Sequence, residues 1–467
     1  MTTPTEVETR TRYQRAGQEH VLKHLTLVSD DAKTSFLRQL ESIEVEKLSG
    51  FLEAALVDDN SKAEIKPFSK AVAHANDVGV IRQAQKVGLE AIRKGEVAAL
   101  VLAGGQGTRL GFDGPKGMYD IGLPSGRTLF CMIAERIQRL CQLASATTNI
   151  PFYVMTSPLN HNVTVEYFKE NAYFGLAADS VQFFQQGLLP CLSNDGKIIM
   201  ESAGKVAMAP DGNGGIYPSL LKSGMLGDMK SRGIQYLHVF SIDNALVKPA
   251  DPVFIGYCIS QDADCGNKVV WKAHAHEQVG VVAEKAGKPC IVEYSDITTE
   301  MAERTDENGR LVFGAANICN HFYTLDFINN VIIPNLGSMY HVARKKIPYY
   351  DEEKNETVTP TLNNGVKLET FIFDVFPLSQ RMVILDVPRS DEFAPVKNAP
   401  GSPSDSADTA RAMISALSQK WVKEAGGSLV GNVDATCEVS PLVSFSGEGL
   451  EEFVQGTDIE CPFLLER

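Results

Sequence analysis

The chain has 467 residues, 44% of them hydrophobic, and a formal net charge of −14. That length supports two or three domains with ample core. The acidic balance excludes a general nucleic-acid binder, and it requires any anionic substrate to meet cations concentrated locally. No apolar run reaches membrane-spanning length, and the first residues, MTTPTE, lack a signal-peptide core. The nine cysteines form no C-x-x-C pair, so neither a disulfide framework nor a zinc site is indicated. The expectation is a cytoplasmic protein with reduced thiols and no membrane or nucleic-acid partner.

Residues 1–20 are polar and carry little pattern, so the first dozen are expected to be loose. Ser29-Asp30-Asp31 is a helix-start signal, and Phe36, Leu40, Ile43, Leu48, Phe51 and Ala55 follow at helical spacing. A polar break at 58–61 precedes a second helix from about Asp77, with Ile81, Ala84, Ala91 and Ile92 on one face and Gly95 at its end. Residues 1–95 therefore read as a helical N-terminal domain.

The stretch 97–117 organises the rest. Six apolar residues from Val97 to Leu102 predict a strand buried on both faces, and a loop with Gly104, Gly105 and Gly107 follows at its carboxyl end. Glycines there let backbone N–H groups close on an anion, and Arg109 and Lys116 add positive charge. Leu110 breaks the dinucleotide fingerprint G-x-G-x-x-G, and no Gly-Lys pair is followed by Ser or Thr as a Walker loop needs.

Beyond the loop, helices and strands alternate. Helix 128–141, strand 152–156, helix 165–171, strand 181–184, a turn at Asn194-Asp195-Gly196, helix 219–231 and strand 236–240 predict a mostly parallel sheet with helices on both faces. Residues 268–295 read as a hairpin-rich extension of that sheet, and 313–318 leads to a helix near 326–332. Strand 382–385, a turn-rich linker at 400–407, a helix from 408 to 421 and short strands around 441–449 complete the chain. The expected domains are 1–95, 96–380 and 381–467.

Ligands of such sheets bind at the strands' carboxyl ends. Gln186, the loop 208–215 and Asp243 all follow strands there. A strand-end carboxylate beside phosphate oxygens suits Mg2+, although Asp243 also reads as a cap or turn residue; the neighbouring glycine loop favours the metal or nucleotide contact. The glycines of 210–215 fit a surface turn and a binding loop equally. Phe371 and Phe373 read by default as core.

The motifs LAGGQGTRLG (102–111), PKGMYDIGLPS (115–125), FFQQGLLP (183–190), MAPDGNGG (208–215), DNALVKPADP (243–252), VEYS (292–295), NICNHF (317–322) and DEFAPVKNA (391–399) span about 300 residues. Together they resemble the eukaryotic UDP-N-acetylglucosamine pyrophosphorylases. The resemblance implies an α/β fold with a Rossmann-like nucleotidyltransferase core, a mostly parallel mixed sheet, a helical N-terminal segment and a small C-terminal α/β domain.

It also implies roles. Leu102, Ala103, Gly104 and Gly105 would cradle the nucleotide; Arg109 and Lys116 would neutralise UTP phosphates; Gln186 and Gly212 would contact uracil and ribose. Asp243 would face the phosphates and Mg2+ (or Mn2+), and Lys367 would reach the triphosphate. Asn213, Glu293, Tyr294 and Asn317 would hold the sugar, with Phe371 and Phe373 walling its acetyl group. Lys397 would reach over from the C-terminal domain to the sugar phosphate; if that domain is separate, closure over the substrates is expected.

The implied reaction is reversible. N-acetylglucosamine 1-phosphate attacks the α-phosphorus of UTP in line, giving UDP-N-acetylglucosamine, a precursor for glycan, chitin, GPI-anchor and glycoprotein synthesis, and pyrophosphate. A monomer is expected. The rival readings are a pyrophosphorylase for UDP-glucose or UDP-galactosamine-type products and a non-catalytic sugar-nucleotide-binding protein; retention of Arg109, Lys116, Asp243 and Lys367 disfavours the latter.

Overall fold

The computed structural model describes residues 6–56, 64–69, 72–432 and 435–466; the polar break read at 58–61 lies outside them. The chain divides into two compact units. One comprises Met1–Lys62, Gln186–Ser219 and Pro334–Val375; the other comprises Ala63–Gln185, Leu220–Ile333 and Phe376–Arg467. Both units are discontinuous in sequence, unlike the linear segments 1–95, 96–380 and 381–467. The reason is that the first helices bury their apolar faces on strands that arrive much later in the chain.

That second unit is built on β1 (Val72–His74), β2 (Val97–Leu102), β3 (Phe152–Thr156), β4 (Val181–Gln185), β5 (Tyr236–Ser241), β6 (Cys265–Trp271), β7 (Ala315–Thr324) and β8 (Met382–Asp386). Their order across the sheet is β1-β8-β6-β7-β5-β2-β3-β4. Every neighbouring pair is parallel except those of β7, which runs antiparallel to β5 and β6. Strands Ile65–Pro67, Val281–Lys285 and Lys288–Val292 extend the sheet, the middle one pairing with β7 at Val281 and Ala316. All six residues of β2 are buried, as a central parallel strand requires.

Helices cover this sheet, and side chains cap their starts. Asp77 accepts from Val80 N at the start of Val78–Arg93, and Thr128 accepts from Cys131 N at the start of Leu129–Leu143. Helices Val78–Arg93 and Pro252–Ser260 cross backbone to backbone: a Cβ on Gly88 would lie 1.9 Å from Pro252 O, and one on Gly256 1.8 Å from Ala84 O. The expected helix 219–231 is two, Ile216–Lys222 and Met225–Ser231, because Gly224 turns left-handed between them (φ 79°).

The C-terminal segment also belongs to this unit. Helix Ala407–Glu424 packs on the parallel pairs Ser428–Gly431 with Asp458–Cys461 and Cys437–Val439 with Phe463–Leu465. Glu438 accepts from Ser125 Oγ at 2.6 Å and Ser125 N at 2.9 Å. Residues 441–449 are turns rather than the expected strands, because the Glu448 carboxylate gathers the N–H groups of Phe445 and Ser446 and the Ser444 hydroxyl.

In the first unit, helices Glu6–Arg15, Asp30–Ser42 and Leu48–Leu56 enclose Tyr13, Phe36, Leu40 and Phe51 with Leu192, Val366 and Leu368. Residues 6–15 are thus ordered rather than loose: Tyr13 is fully buried and donates its hydroxyl to Leu40 O at 3.0 Å. The apolar stripe from Phe36 to Ala55 breaks at Ile43, whose extended backbone ends the first helix. No helix among the described residues is long and apolar enough to cross a membrane.

Candidate active site

The carboxyl ends of β2, β5 and β8 deliver the glycine loop, Asp243 and Lys397, and the amino end of the antiparallel β7 brings Asn317 to the same edge. Leu102 and Ala103 are buried as the strand ends, and Ala103 N is bonded to Met155 O at 2.8 Å. The loop then folds back on itself through Gly107 N to Gly114 O (2.8 Å) and Lys116 N to Gly105 O (3.1 Å). Among the described residues, the N–H groups of Gly104 and Gly105 meet no protein acceptor.

The glycines of this loop serve different ends. A Cβ on Gly117 would collide with the Phe130 ring at 2.2 Å, so that glycine is a packing joint. Gly105 is exposed, has no positive φ, and a Cβ there would touch nothing within 4 Å. No internal contact requires glycine at 105; an approaching anion would.

Four charged residues gather around this loop. Lys116 is half-buried, and burial holds its ammonium below the usual lysine value; Lys397 and Arg109 push it the same way, and Asp243 opposes them. The other three therefore lie within electrostatic reach of Lys116. Among the described residues, none of Arg109, Lys116, Asp243 and Lys397 makes an ion pair within 4 Å. Three cations and one carboxylate held together without ion-pair partners are charge chemistry suited to meeting a polyanion.

Lys397 does not reach in from a separate domain. Val396 N donates to Asp243 O at 2.8 Å, Ala245 N donates to Ala394 O at 3.0 Å, and Asn244 pairs with Pro395 across a bridge. The two segments form one ladder, so no domain closure is needed to bring Lys397 beside Asp243.

Glu293 and Asn317 converge through a residue that sequence reasoning missed. Gly280 O accepts from Asn317 N at 2.9 Å, and a Cβ on Gly280 would lie 3.1 Å from Glu293 Oε1. Burial raises the Glu293 carboxyl above its ordinary value, with Asp296 adding to the effect. Tyr294 is half-exposed, at 51%.

The remaining candidates lie in the first unit. Lys367 alternates with Val366 and Leu368 on strand Gly365–Glu369, so the two apolar neighbours are buried while the lysine faces the other way. Gly212 is left-handed (φ 86°), and a Cβ on it would lie 2.2 Å from Thr370 O. Asn213 Oδ1 accepts from Ile372 N at 3.0 Å. Gln186 follows β4 directly and is half-buried. Phe371 and Phe373 are not core: they are half-buried and stacked, with ring centroids 5.1 Å apart and planes at 17°, whereas Ile372, Val375 and Phe376 are fully buried. His341 lies 4.8 Å from the Phe371 ring and bonds Asp374, which accepts from Phe371 N at 2.6 Å.

Known proteins resemble this chain along its length. The family described as UTP–glucose-1-phosphate uridylyltransferase matches residues 48–459. The chain belongs to that family. It is 43% identical to the UDP-N-acetylhexosamine pyrophosphorylase-like protein 1 of Xenopus tropicalis, over 98% of this chain and 96% of that one. Identity to the UDP-N-acetylglucosamine pyrophosphorylase of Saccharomyces cerevisiae is 44%, over 79% of this chain and 78% of the relative. Among solved structures, the uridine diphosphate N-acetylglucosamine pyrophosphorylase of Trypanosoma brucei, in complex with an inhibitor, superposes with a TM-score of 0.85 at 31% identity, covering 100% of this chain and 99% of the other.

Within this member of the uridylyltransferase family, two further residues shape loops that carry candidates, one in each unit. Asn160 is buried and donates to Ala103 O at 3.0 Å and Gly105 O at 3.4 Å, while its Oδ1 accepts from Ser157 N. It braces the glycine loop from the start of helix His161–Glu170. Asp211 is wedged between Gly187 and Gly215, where any Cβ would come within 2.2 Å of its carboxylate. A loop asparagine and an aspartate amid glycines carry no signature of their own; only the folded loops give them these tasks.

Proposed function

We propose that this chain is a uridylyltransferase that makes UDP-N-acetylglucosamine and pyrophosphate from UTP and N-acetylglucosamine 1-phosphate, reversibly. The observation that carries this reading is the gathering of Arg109, Asp243 and Lys397 around Lys116, in the loop that holds the open face of Gly105. Family membership and the names of the relatives support the choice of a nucleoside triphosphate and an N-acetylhexosamine phosphate.

In this reading the backbone from Leu102 to Gly105 cradles the nucleotide, Gln186 and Gly212 contact uracil and ribose, and Lys367 serves the triphosphate. A glutamine amide offers the donor and acceptor that a uracil edge needs. Asn213, Glu293, Tyr294 and Asn317 take the sugar's hydroxyls and amide, and the stacked Phe371 and Phe373 wall the acetyl group. The half-exposure of that stack supports a ligand-facing task over a core one.

A phosphate oxygen of the sugar 1-phosphate forms a bond to the α-phosphorus of UTP, the bond from that phosphorus to the β-phosphate bridging oxygen breaks, and pyrophosphate leaves. The nucleophile is already an anion, so no protein base is required. The obstacle is repulsion between phosphates, and Arg109, Lys116, Lys367 and Lys397 lower it by position and charge.

A divalent cation is the cofactor expected of this family. No group of three or more His, Cys, Asp or Glu side chains arranged to hold a metal occurs among the described residues. The single carboxylate of Asp243, joined by substrate phosphate oxygens, is the all-oxygen donor chemistry that magnesium or manganese takes. Such an ion would supply further neutralisation of phosphate charge. We place the enzyme in the cytoplasm as a monomer, working without nucleic acid or membrane.

Pyrophosphate release from UTP and Mg2+ tests the proposal, with N-acetylglucosamine, N-acetylgalactosamine and glucose 1-phosphates as acceptors. Strong release with the N-acetylglucosamine compound is expected. Release with glucose 1-phosphate alone would overturn the sugar assignment, and no release with any acceptor would overturn the enzyme reading.

A further inference from the structure

Beneath the segments that carry Asp243 and Lys397 lies a buried ionic cluster. Lys268, on β6, is fully buried, and its ammonium lies 2.5 Å from Asp251 Oδ2 and 2.5 Å from Glu392 Oε2. Lys248 reaches the other oxygen of Glu392 at 3.2 Å. Two cations face two carboxylates, so the cluster adds no net charge to the phosphate site above it. Asp251 also caps helix Pro252–Ser260, accepting from Val253 N at 3.0 Å.

The backbone around these residues is equally tied. Asn244 is 3% exposed and donates to Glu392 O at 2.7 Å, while its Oδ1 accepts from Ala394 N at 2.9 Å and Leu246 N at 3.1 Å. His238 is buried too; its Nδ1 accepts from Ala250 N at 2.8 Å, so its Nε2 donates to Asn320 Oδ1 at 2.6 Å. Segment 243–251 is thus clamped from β5, β6 and residues 389–397 at once.

Stability alone does not call for such a cluster. Replacing a buried ion pair with apolar side chains of similar volume is often neutral or stabilising. What a charged, hydrogen-bonded cluster provides is one geometry: Lys268 bonds both carboxylates only when 251 and 392 stand in a single relative position. That position also sets where Asp243 and Lys397 stand.

We infer that Lys268, Asp251 and Glu392 are positioning residues, a buried ionic clamp that fixes Asp243 and Lys397 in register for the phosphates. The inference rests on the uridylyltransferase reading for its catalytic consequence but not for its structural one. Misplacement by about 1 Å can cost a factor of order 100 in rate.

The test is Glu392→Gln, which keeps shape and leaves the Lys268–Asp251 pair. It is compared with Leu140→Ala, a core change in helix Leu129–Leu143, at equal fractions of folded protein. We expect kcat to fall by about 10- to 100-fold with KM for UTP changed by less than about threefold, whereas Leu140→Ala keeps kcat. Amide exchange at Ala394 and Val396, read without substrate, is expected to rise at least about tenfold in Glu392→Gln alone.

Unchanged exchange at those amides, or an unchanged kcat with an active wild type, overturns the clamp. An inactive wild type would instead count against the function reading, while the exchange result would still decide the clamp. Should Glu392→Gln not fold, Lys248→Met carries the same two readouts from the partly exposed end of the cluster.

Discussion

Two glycine-bearing loops, 104–117 and 212–215, look alike in sequence and do opposite things. At Gly105 the missing side chain leaves open space over unpaired loop N–H groups; at Gly212 it leaves room for the Thr370 carbonyl, 2.2 Å from where a Cβ would stand. On the proposed function, position 105 is glycine for something that arrives, and position 212 is glycine for something already there. Glycine density thus marks close approach without saying by whom, and only the fold separates ligand from protein.

Substitutions sharpen that contrast. The largest effect is expected at the packed loop: Gly212→Ala forces a Cβ into Thr370 at a left-handed φ, costing about 3 kcal/mol and lowering Tm by several degrees. Unchanged thermal unfolding would remove the packing account. At the open loop the effect moves from stability to rate. Arg109→Ala removes an exposed cation, so kcat should fall about 100-fold, about 2.7 kcal/mol of transition-state stabilisation, with folding changed by less than about 0.5 kcal/mol. A variant that melts early instead would make Arg109 structural.

Gly105→Ala is the finer form of the same test. Thermal unfolding should match the wild type, because a methyl group there meets no atom, while kcat/KM for UTP falls about tenfold. Loss of stability with normal kinetics would reverse the roles of the two loops.

The smallest effect is a pH dependence on the packed side. The hydrogen bond to Asp374 raises the His341 pKa, so the charged imidazole is favoured in the folded state. The stability it adds is complete below the ordinary histidine value and fades as pH rises through the raised one. Nuclear magnetic resonance titration of His341 should show a midpoint above the ordinary value, and Asp374→Asn should bring it down; a midpoint at or below it would break this link to Phe371.

Much of the fold was legible because its signals are local. Six apolar residues announced β2, and the Ser29 cap announced helix Asp30–Ser42, since burial on both faces and an N-cap bond leave marks within a few residues. The misses have two causes, distance along the chain and local capture of backbone groups by a side chain. Tyr13 orders residues 6–15 only by meeting Leu40, and Glu448 organises a turn that its Pro-, Ser- and Gly-bearing neighbourhood reads as strands.

The site divides the same way. Arg109, Lys116 and Asp243 were legible beside the strands that bear them, and the motif resemblance added Lys397, Glu293 and Asn317. Gly280, Asn160 and Lys268 were not, because a glycine in a hairpin, an asparagine in a loop and a lysine in an apolar strand acquire meaning only from partners dozens of residues away.

The central claim is uridylyl transfer to an N-acetylhexosamine phosphate at the Arg109–Lys116–Asp243–Lys397 cluster. Phosphorus magnetic resonance of one mixture, UTP with N-acetylglucosamine 1-phosphate and Mg2+, tests it most directly with wild type and Arg109→Ala run side by side. The account predicts equal amounts of UDP-sugar diphosphate and free pyrophosphate signals appearing with the wild type and only slowly with the folded variant. Equal rates from both proteins, or a UTP spectrum that never changes with the folded wild type, would contradict it.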